Sequence, residues 1–358
     1  MNGAPSPLTA VGDVVRGDLT AAVAYVTPAG GAVVTAVAPC GIADERHDAV
    51  GFTTSLGFGR KLERIVREPR VALAYHAREH GFSADPRFVL VQGTATVDLT
   101  PSRARLDAFA PQAARYLGEL KEGPIWDRLL REYYQERVFV DVAIDRIASW
   151  PTLLATEPAT TAGADLPAPP SPQAPPAKGT APRVDVDKLA RRLTGLPHRL
   201  LAYRGADGYP VIVPIELAGH DHRGLRLVGS DVLPAGGRRA GVLAHAYRPQ
   251  LVGLSTQVLT GWLEVGDDGQ ARYSPHTSKG FTAPPAKTLL LVTNGLLAKR
   301  GLRQARKHGV AERLAAAAST PTPAPPATPA TTATAAATMA PASDVPTPVE
   351  PDTVGARR

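Results

Sequence analysis

The chain has 358 residues, a single cysteine, a net charge of +7 and 44% hydrophobic residues. This is too long for one small core and predicts two domains, and the lone Cys40 excludes an internal disulfide or a cysteine-based metal cluster. The cysteine usage, and an N-terminal stretch "MNGAPSPLTAVGDVVRGD" with no basic region ahead of a long apolar run, lead to the expectation of a cytoplasmic protein without a signal peptide or membrane span.

In chain order, β-branched and apolar residues predict a strand over 21–27, a Pro/Gly turn over 28–31 and a return strand over 32–38. A strand follows at 49–54. Leu62, Ile65 and Val66 then share one face of a short helix over about 60–67, which stops at Glu68-Pro69 because the residue before proline leaves helical geometry. Strands are expected at 70–76 and 87–98, helices at 101–117 and 124–136, and a closing strand at 137–144. Six strands with few helices suggest a small antiparallel barrel.

Residues 157–183 are Pro/Ala/Thr-rich and read as an extended linker; 316–358 are similar and read as a disordered tail. Two folded blocks remain, within 1–155 and 184–315. They resemble each other at a constant shift of 178 between 21–61 and 199–239, with nine identities that include Tyr25/Tyr203, Gly51/Gly229, Gly59/Gly237 and Arg60/Arg238. Further on, "EPRVAL" (68–73) is similar to "RPQLVGL" (248–254), and "LVQGTATV" (90–97) to "VLTGWLEV" (258–265). The expectation is one fold used twice. The basic stretch "AKRGLRQARKHG" (298–309) lacks stacking aromatics and reads as a solvated helix face, with no nucleic-acid or membrane partner.

The segment "VGFTTSLGFGRK" (50–61) carries the chemistry. A helix N-terminus already bears unpaired N–H groups and positive partial charge, so adjacent cations there oppose folding by roughly 0.3–1 kcal/mol each. Arg60 and Lys61 make sense around an anion. Thr53, Thr54 and Ser55 could donate hydroxyls to it, and Gly57 and Gly59 would let the backbone approach. Together they form a phosphate cradle, although not a nucleotide-triphosphate loop, whose spacing is missing.

His220-Asp221-His222 reads as a polar turn, His76 and His80 as loop residues, Cys40 as a semi-buried small residue and Trp262 as packing; no metal site is expected.

The order and spacing of "AAVAYVTPAGGAVVTAV", "FTTSLGFGRKLERIVREPRVALAY", "RFVLVQGTATV" and "RVFVDVAIDRIASW" resemble the FMN-binding split-barrel proteins related to pyridoxamine 5'-phosphate oxidase, over most of the first block. The resemblance implies two tandem split β-barrels forming a pseudo-dimer. FMN would lie between them, its cofactor-binding residues Thr53, Thr54, Ser55, Arg60 and Lys61, with Thr35. No side chain need be catalytic, because the flavin ring carries the redox chemistry. It implies an oxidoreductase acting on a small substrate, with a nicotinamide or deazaflavin as electron donor; a deazaflavin coenzyme, a haem-binding role, a flavin carrier and an interaction scaffold stay open. Where the oxidase proper has Gln beside Arg, Arg87-Phe88 stands here, so its own reaction is not implied. At the shift of 178, Asp231, Val232 and Leu233 replace Thr53, Thr54 and Ser55, and Asp231 is placed to pair with Arg238 or Arg239. The second barrel is therefore expected to be a structural partner without a working site. A monomeric pseudo-dimer and a homodimer are both consistent with this.

Overall fold

Thr27 to Gly31 turn the chain tightly enough to start a hairpin: Thr27 N donates to Gly31 O at 2.8 Å, and Gly30 takes a φ of +76° that only glycine adopts without strain. The computed structural model describes residues 6–318 except 120–122, 125, 127–129, 131–135 and 230–232. After a short helix α1 (Gly12–Gly17) come strands β1 (Ala21–Val26), β2 (Ala32–Val37), β3 (Ala43–Asp44) and β4 (Ala49–Thr54). Helix α2 (Gly59–Arg67), β5 (Arg70–Tyr75), β6 (Phe88–Asp98), α3 (Arg103–Leu117) and β7 (Val138–Trp150) complete the first half. The closing strand thus runs six residues beyond the predicted 144, because its second half keeps pairing with β6 out to Phe88↔Trp150. Most of the helix expected over 124–136, and the tail from 319 onward, lie outside the described residues.

The proline-rich segment contributes β8 (Thr160–Gly163), paired with β7. Then follow α4 (Val186–Thr194), β9 (His198–Arg204), β10 (Pro210–Asp221), β11 (Gly224–Gly229), β12 (Gly236–Ala246), β13 (Ser255–Val265), β14 (Ala271–Thr282), α5 (Lys287–Lys307) and α6 (Val310–Ala318). The fold is mainly β with helices. The first half is an open antiparallel sheet in the order β2-β1-β5-β6-β7-β4-β3, and the second is a closed barrel, β10-β11-β14-β13-β12-β9. The pairings β1–β2, β1–β5, β5–β6, β6–β7 and β4–β7 recur as β9–β10, β9–β12, β12–β13, β13–β14 and β11–β14. What differs is closure: β10 bonds β11, whereas β2 and β4 are not bonded to each other.

The uniform shift of 178 holds over the first hairpin of each half, where Tyr25↔Val33 matches Tyr203↔Val211, and breaks beyond it. Tyr25 pairs with Val71 and Tyr203 with Ala240, so the offset falls from 203 − 25 = 178 to 240 − 71 = 169. The second half lacks the insertion that makes α2, and "GGRRAG" is strand, not a helix start. All six residues pair with β13, and Ala240 and Gly241 pair with β9 as well, which a helix could not do. For the same reason "RPQLVGL" is not a second "EPRVAL" strand: it forms a tight 3-10 turn at Pro249–Leu251. Arg238 and Arg239 hold the proline-rich segment. Arg238 Nη1 donates to Pro170 O at 3.1 Å and Nη2 to Pro234 O at 3.1 Å, while Arg239 N donates to Gln173 Oε1 at 3.0 Å. Gln173 Nε2 in turn donates to Gly30 O at 2.9 Å, tying this segment to the first hairpin. The expected pairing partner Asp231, with Val232, falls outside the described residues.

The two halves meet through small side chains. Ala22, Ala24, Ala72 and Ala74 pack with Leu200, Ala202, Ile212 and Leu243 in one buried cluster. A Cβ on Gly241 would lie 2.6 Å from Ala32 O, so the backbones touch there. Each half also has its own core, around Val23, Phe52, Leu73 and Val140 in one and Leu201, Val213, Leu259 and Tyr273 in the other.

Both halves carry a β-bulge at the same place, between Gln92 and Gly93 and between Thr260 and Gly261. A Cβ at Gly93 would sit 2.1 Å from Ala143 O, and at Gly261 2.2 Å from Ser274 O. Because backbone must yield, Gly93→Ala and Gly261→Ala are each expected to cost about 1–3 kcal/mol. Gly195→Ala, which meets only Arg192 O at 3.8 Å, should stay within about 0.5 kcal/mol. Urea unfolding of the three variants checks the ranking.

Candidate functional site

The gap between β2 and β4 opens onto a cavity of about 1330 Å³. Thr35 reaches it from β2, Thr53 and Thr54 from the end of β4, and Ser55, Gly57, Gly59, Arg60 and Lys61 from the following loop and the start of α2. All six residues expected at a cofactor site therefore line one cavity.

Ser55 makes the local turn: its Oγ accepts from Gly57 N at 3.2 Å and caps a 3-10 turn over Leu56–Phe58. That turn leads straight into α2, whose own N-cap position, Phe58, has no side-chain capping bond. No side chain at the N-cap position therefore bonds the first amides of the helix. Leu62 and Ile65 bury the opposite face of α2 against the first core, which fixes Arg60 and Lys61 on the cavity side.

The charges are unbalanced. Among the described residues Arg60 and Lys61 have no carboxylate partner, whereas Glu63 is taken by Arg67 at 3.0 Å and Glu136 by Arg306 at 2.5 Å. Lys61 Nζ lies 5.5 Å from the centre of the Phe52 ring and 5.1 Å from that of Phe58. Burial pushes its ammonium down to about 8. Thr53 Oγ1 accepts from Arg137 Nη1 at 2.9 Å, so Arg137 adds a further cation to the rim. Thr35 Oγ1 is buried without a hydrogen-bond partner. An uncapped helix start, cations without counter-charges and an orphaned hydroxyl fit an anionic cofactor with polar groups beyond its phosphate.

Three parts of the wall were not anticipated. Arg64 and Tyr25 line the cavity beside the cradle, the Arg64 guanidinium 6.0 Å over the Tyr25 ring. The outer face of the β13–β14 hairpin supplies Thr256, Val258, Thr260, Thr277, Lys279 and Phe281. The C-terminal helices also cover the cradle: Gly301 approaches so closely that a Cβ at Gly57 would lie 3.4 Å from its Cα, and a Cβ at Gly59 would lie 3.0 Å from Val310. The basic stretch read as a solvated face thus has a second face, with Leu302 and Ala305 buried and Gly301, Gln304, Ala305 and His308 on the cavity. The apolar positions Leu302, Ala305, Val310 and Leu314 carried that signal in the sequence, but nothing local said what they would pack against.

Other candidates resolve elsewhere. His220 pairs with Asp187 at 3.2 Å and Asp221 with Arg272 at 2.6 Å, which makes the turn a charged surface. Cys40 is buried, its thiol pushed up to about 11 by desolvation. His76 does not line the cavity; it is buried between the halves, Nε2 to Nε2 of His245 at 2.6 Å. Among the described residues no group of three or more His, Cys, Asp or Glu is arranged to hold a metal, and no helix is long and apolar enough to cross a membrane.

No protein-family model and no curated protein matches the chain. Solved structures match parts of it. A conserved hypothetical protein from Mycobacterium tuberculosis is 21% identical over 40% of this chain and 83% of its own, with a TM-score of 0.31. A pyridoxamine 5'-phosphate oxidase-related, FMN-binding protein from Nostoc punctiforme is 11% identical over 59% of this chain and 93% of its own, TM-score 0.27. A FAD-binding protein from Mesorhizobium loti is 16% identical over 39% of this chain and 91% of its own, TM-score 0.28. Scores at this level are too low to place the chain in a family.

Proposed function

We propose that the protein is an FMN-dependent oxidoreductase built from two split barrels, with one working cofactor site at the gap between β2 and β4. The observation that supports it most is the cradle: Arg60 and Lys61 without counter-charges beside an uncapped helix start, on the same cavity as Thr53, Thr54 and Ser55. Such a set suits a phosphate dianion. Arg60, Lys61 and the first amides of α2 would hold the phosphate, with the hydroxyls of Thr54 and Ser55 as donors. Thr35, further along the wall, would meet a polar edge of the ring. The bound flavin supplies hydride or electron transfer. The chain's part is to orient it and to exclude water, and the covering helices α5 and α6 serve the second role.

Only one such site is expected. Among the described residues between β11 and β12 there is no helix, and Arg238 is buried in bonds to backbone carbonyls. Calorimetry of flavin-free protein should give one FMN per chain, and riboflavin, which lacks the phosphate, should bind at least a hundredfold more weakly. Equal affinity for the two would remove the cradle from the account.

Lys61 adds a pH dependence. With its ammonium at about 8 in the free protein, a dianion binds best to the protonated form, so FMN affinity should fall as pH rises through 8 and beyond. The limit is tenfold per pH unit, and Lys61→Met should flatten the curve between pH 7.5 and 9.5.

A further inference from the structure

The matched bulges put the two hairpins β6–β7 and β13–β14 in the same register, so their outer faces can be compared row by row. In the first half the cross-strand rows are Phe88↔Trp150, Leu90↔Ala148 and Gln92↔Arg146. In the second they are Thr256↔Phe281, Val258↔Lys279 and Thr260↔Thr277. The first face is filled with protein: Phe88 and Trp150 meet edge-on at 5.5 Å, Leu90 and Ala148 are buried, and Arg146 bonds Gln92 at 2.5 Å and pairs with Asp207. The second face lines the cavity, and Thr277, Lys279 and Phe281 are exposed on it. Phe281 leaves 44% of its surface uncovered. Lys279 has no carboxylate partner among the described residues, and Thr260 and Thr277 share one hydrogen bond of 2.6 Å, which leaves one hydroxyl hydrogen to donate.

We propose that this face is the subsite for the second ligand, a small aromatic or conjugated carboxylate. Lys279 takes the carboxylate, Phe281 the flat apolar body, and the threonine hydroxyls the remaining polar edge. The inference rests on the flavin site, which lines the same cavity. The cavity, at about 1330 Å³, exceeds the usual range for one small ligand, roughly 300–1,000 Å³, and leaves space for a second. A monoanion is favoured over a phosphate because the β13–β14 face itself offers one lysine as a point charge and no guanidinium fork. The first half cannot do the same, since Trp150 and Phe88 fill the equivalent rows.

The test uses the full chain. FMN-loaded protein is titrated with benzoate and with its neutral isostere benzamide, following the flavin absorption band, and flavin-free protein is titrated with both by calorimetry. Benzoate should bind at least tenfold more tightly than benzamide, and Lys279→Gln should abolish that preference while FMN affinity stays within twofold. Equal binding of the two probes, or a preference that survives Lys279→Gln, overturns the inference. If the protein takes up no FMN, the flavin function falls, and the calorimetric arm still decides the subsite: benzoate binding lost in Lys279→Gln upholds it, and no benzoate binding to the parent overturns it.

Discussion

Replacing Arg60 and Lys61 together by alanine is expected to weaken FMN binding by about a hundredfold to ten-thousandfold, because two charge-assisted hydrogen bonds of roughly 1.5–3 kcal/mol each are removed. The folded state should not suffer. Neither cation has a carboxylate partner among the described residues, and both sit where the helix N-terminus is already positive, so stability should hold or rise slightly. The pair aligned with it by sequence in the second half, Arg238 and Arg239, behaves in the opposite way. Arg238→Ala with Arg239→Ala leaves carbonyls of Pro170, Pro234 and Ala174 without donors and frees Gln173 from the side chain it bonds. It should lower the unfolding midpoint and leave FMN affinity within a few fold. FMN titration and urea unfolding on both double variants separate the two roles, and loss of FMN binding from both alike would contradict a single cradle.

The second large effect concerns acid. His76, the residue after β5, and His245, on β12, are 169 residues apart and meet where the halves join. His76 Nδ1 lies 3.1 Å from Ala74 O and donates to it, so its Nε2 is the acceptor and His245 Nε2 the donor; His245 Nδ1 is then buried with no partner. Desolvation holds His76 down to about 3 and His245 well below its ordinary value, with His198 and, for His76, Arg78 adding like charge. Between about pH 6.5 and 3 the unfolded chain takes up protons that the folded chain refuses. Stability therefore falls as pH drops, by about 1.4 kcal/mol per pH unit for each such histidine. Asp18, buried and bonded by Arg78, acts in the other direction: desolvation pushes its carboxyl up to about 7, so it favours the fold at low pH and opposes it as pH rises towards 7. Glu79, paired with His198 at 3.0 Å, is a nearby carboxylate. Asp18, His198 and Glu79 are common to parent and variant, so the difference isolates the pair. His76→Asn with His245→Asn should show a shallower loss of stability from pH 6.5 to 4.5 than the parent; parallel curves would show that the folded pair takes up protons just as the unfolded chain does.

Local pattern determined a good deal of this protein. The first hairpin, β4, α2, β5 and β6 lie within a residue or two of their expected positions, because alternation, a glycine turn and a proline stop are properties of short windows. The cradle residues were legible for the same reason: Thr53 to Lys61 are contiguous, and cations at a helix start are a local anomaly. Their partners were not legible. Lys279, Phe281 and Thr260 stand more than 190 residues from the cradle, and their strand pattern resembles that of any barrel wall; only the packing of one half on the other brings them to the cavity. The repeat shows both sides of this. Tyr25/Tyr203 and Val33/Val211 are true counterparts, but Arg60/Arg238 matched in letters and not in structure, because the residues that make α2 have no equivalent in the second half and the offset has fallen from 178 to 169 at β12. Sequence alone determined which segments are strands and where an anion would be welcome. Which barrel closes, which face is left open, and that two histidines meet in the interface were decided by tertiary contacts, since each depends on surfaces far apart in the chain excluding water together.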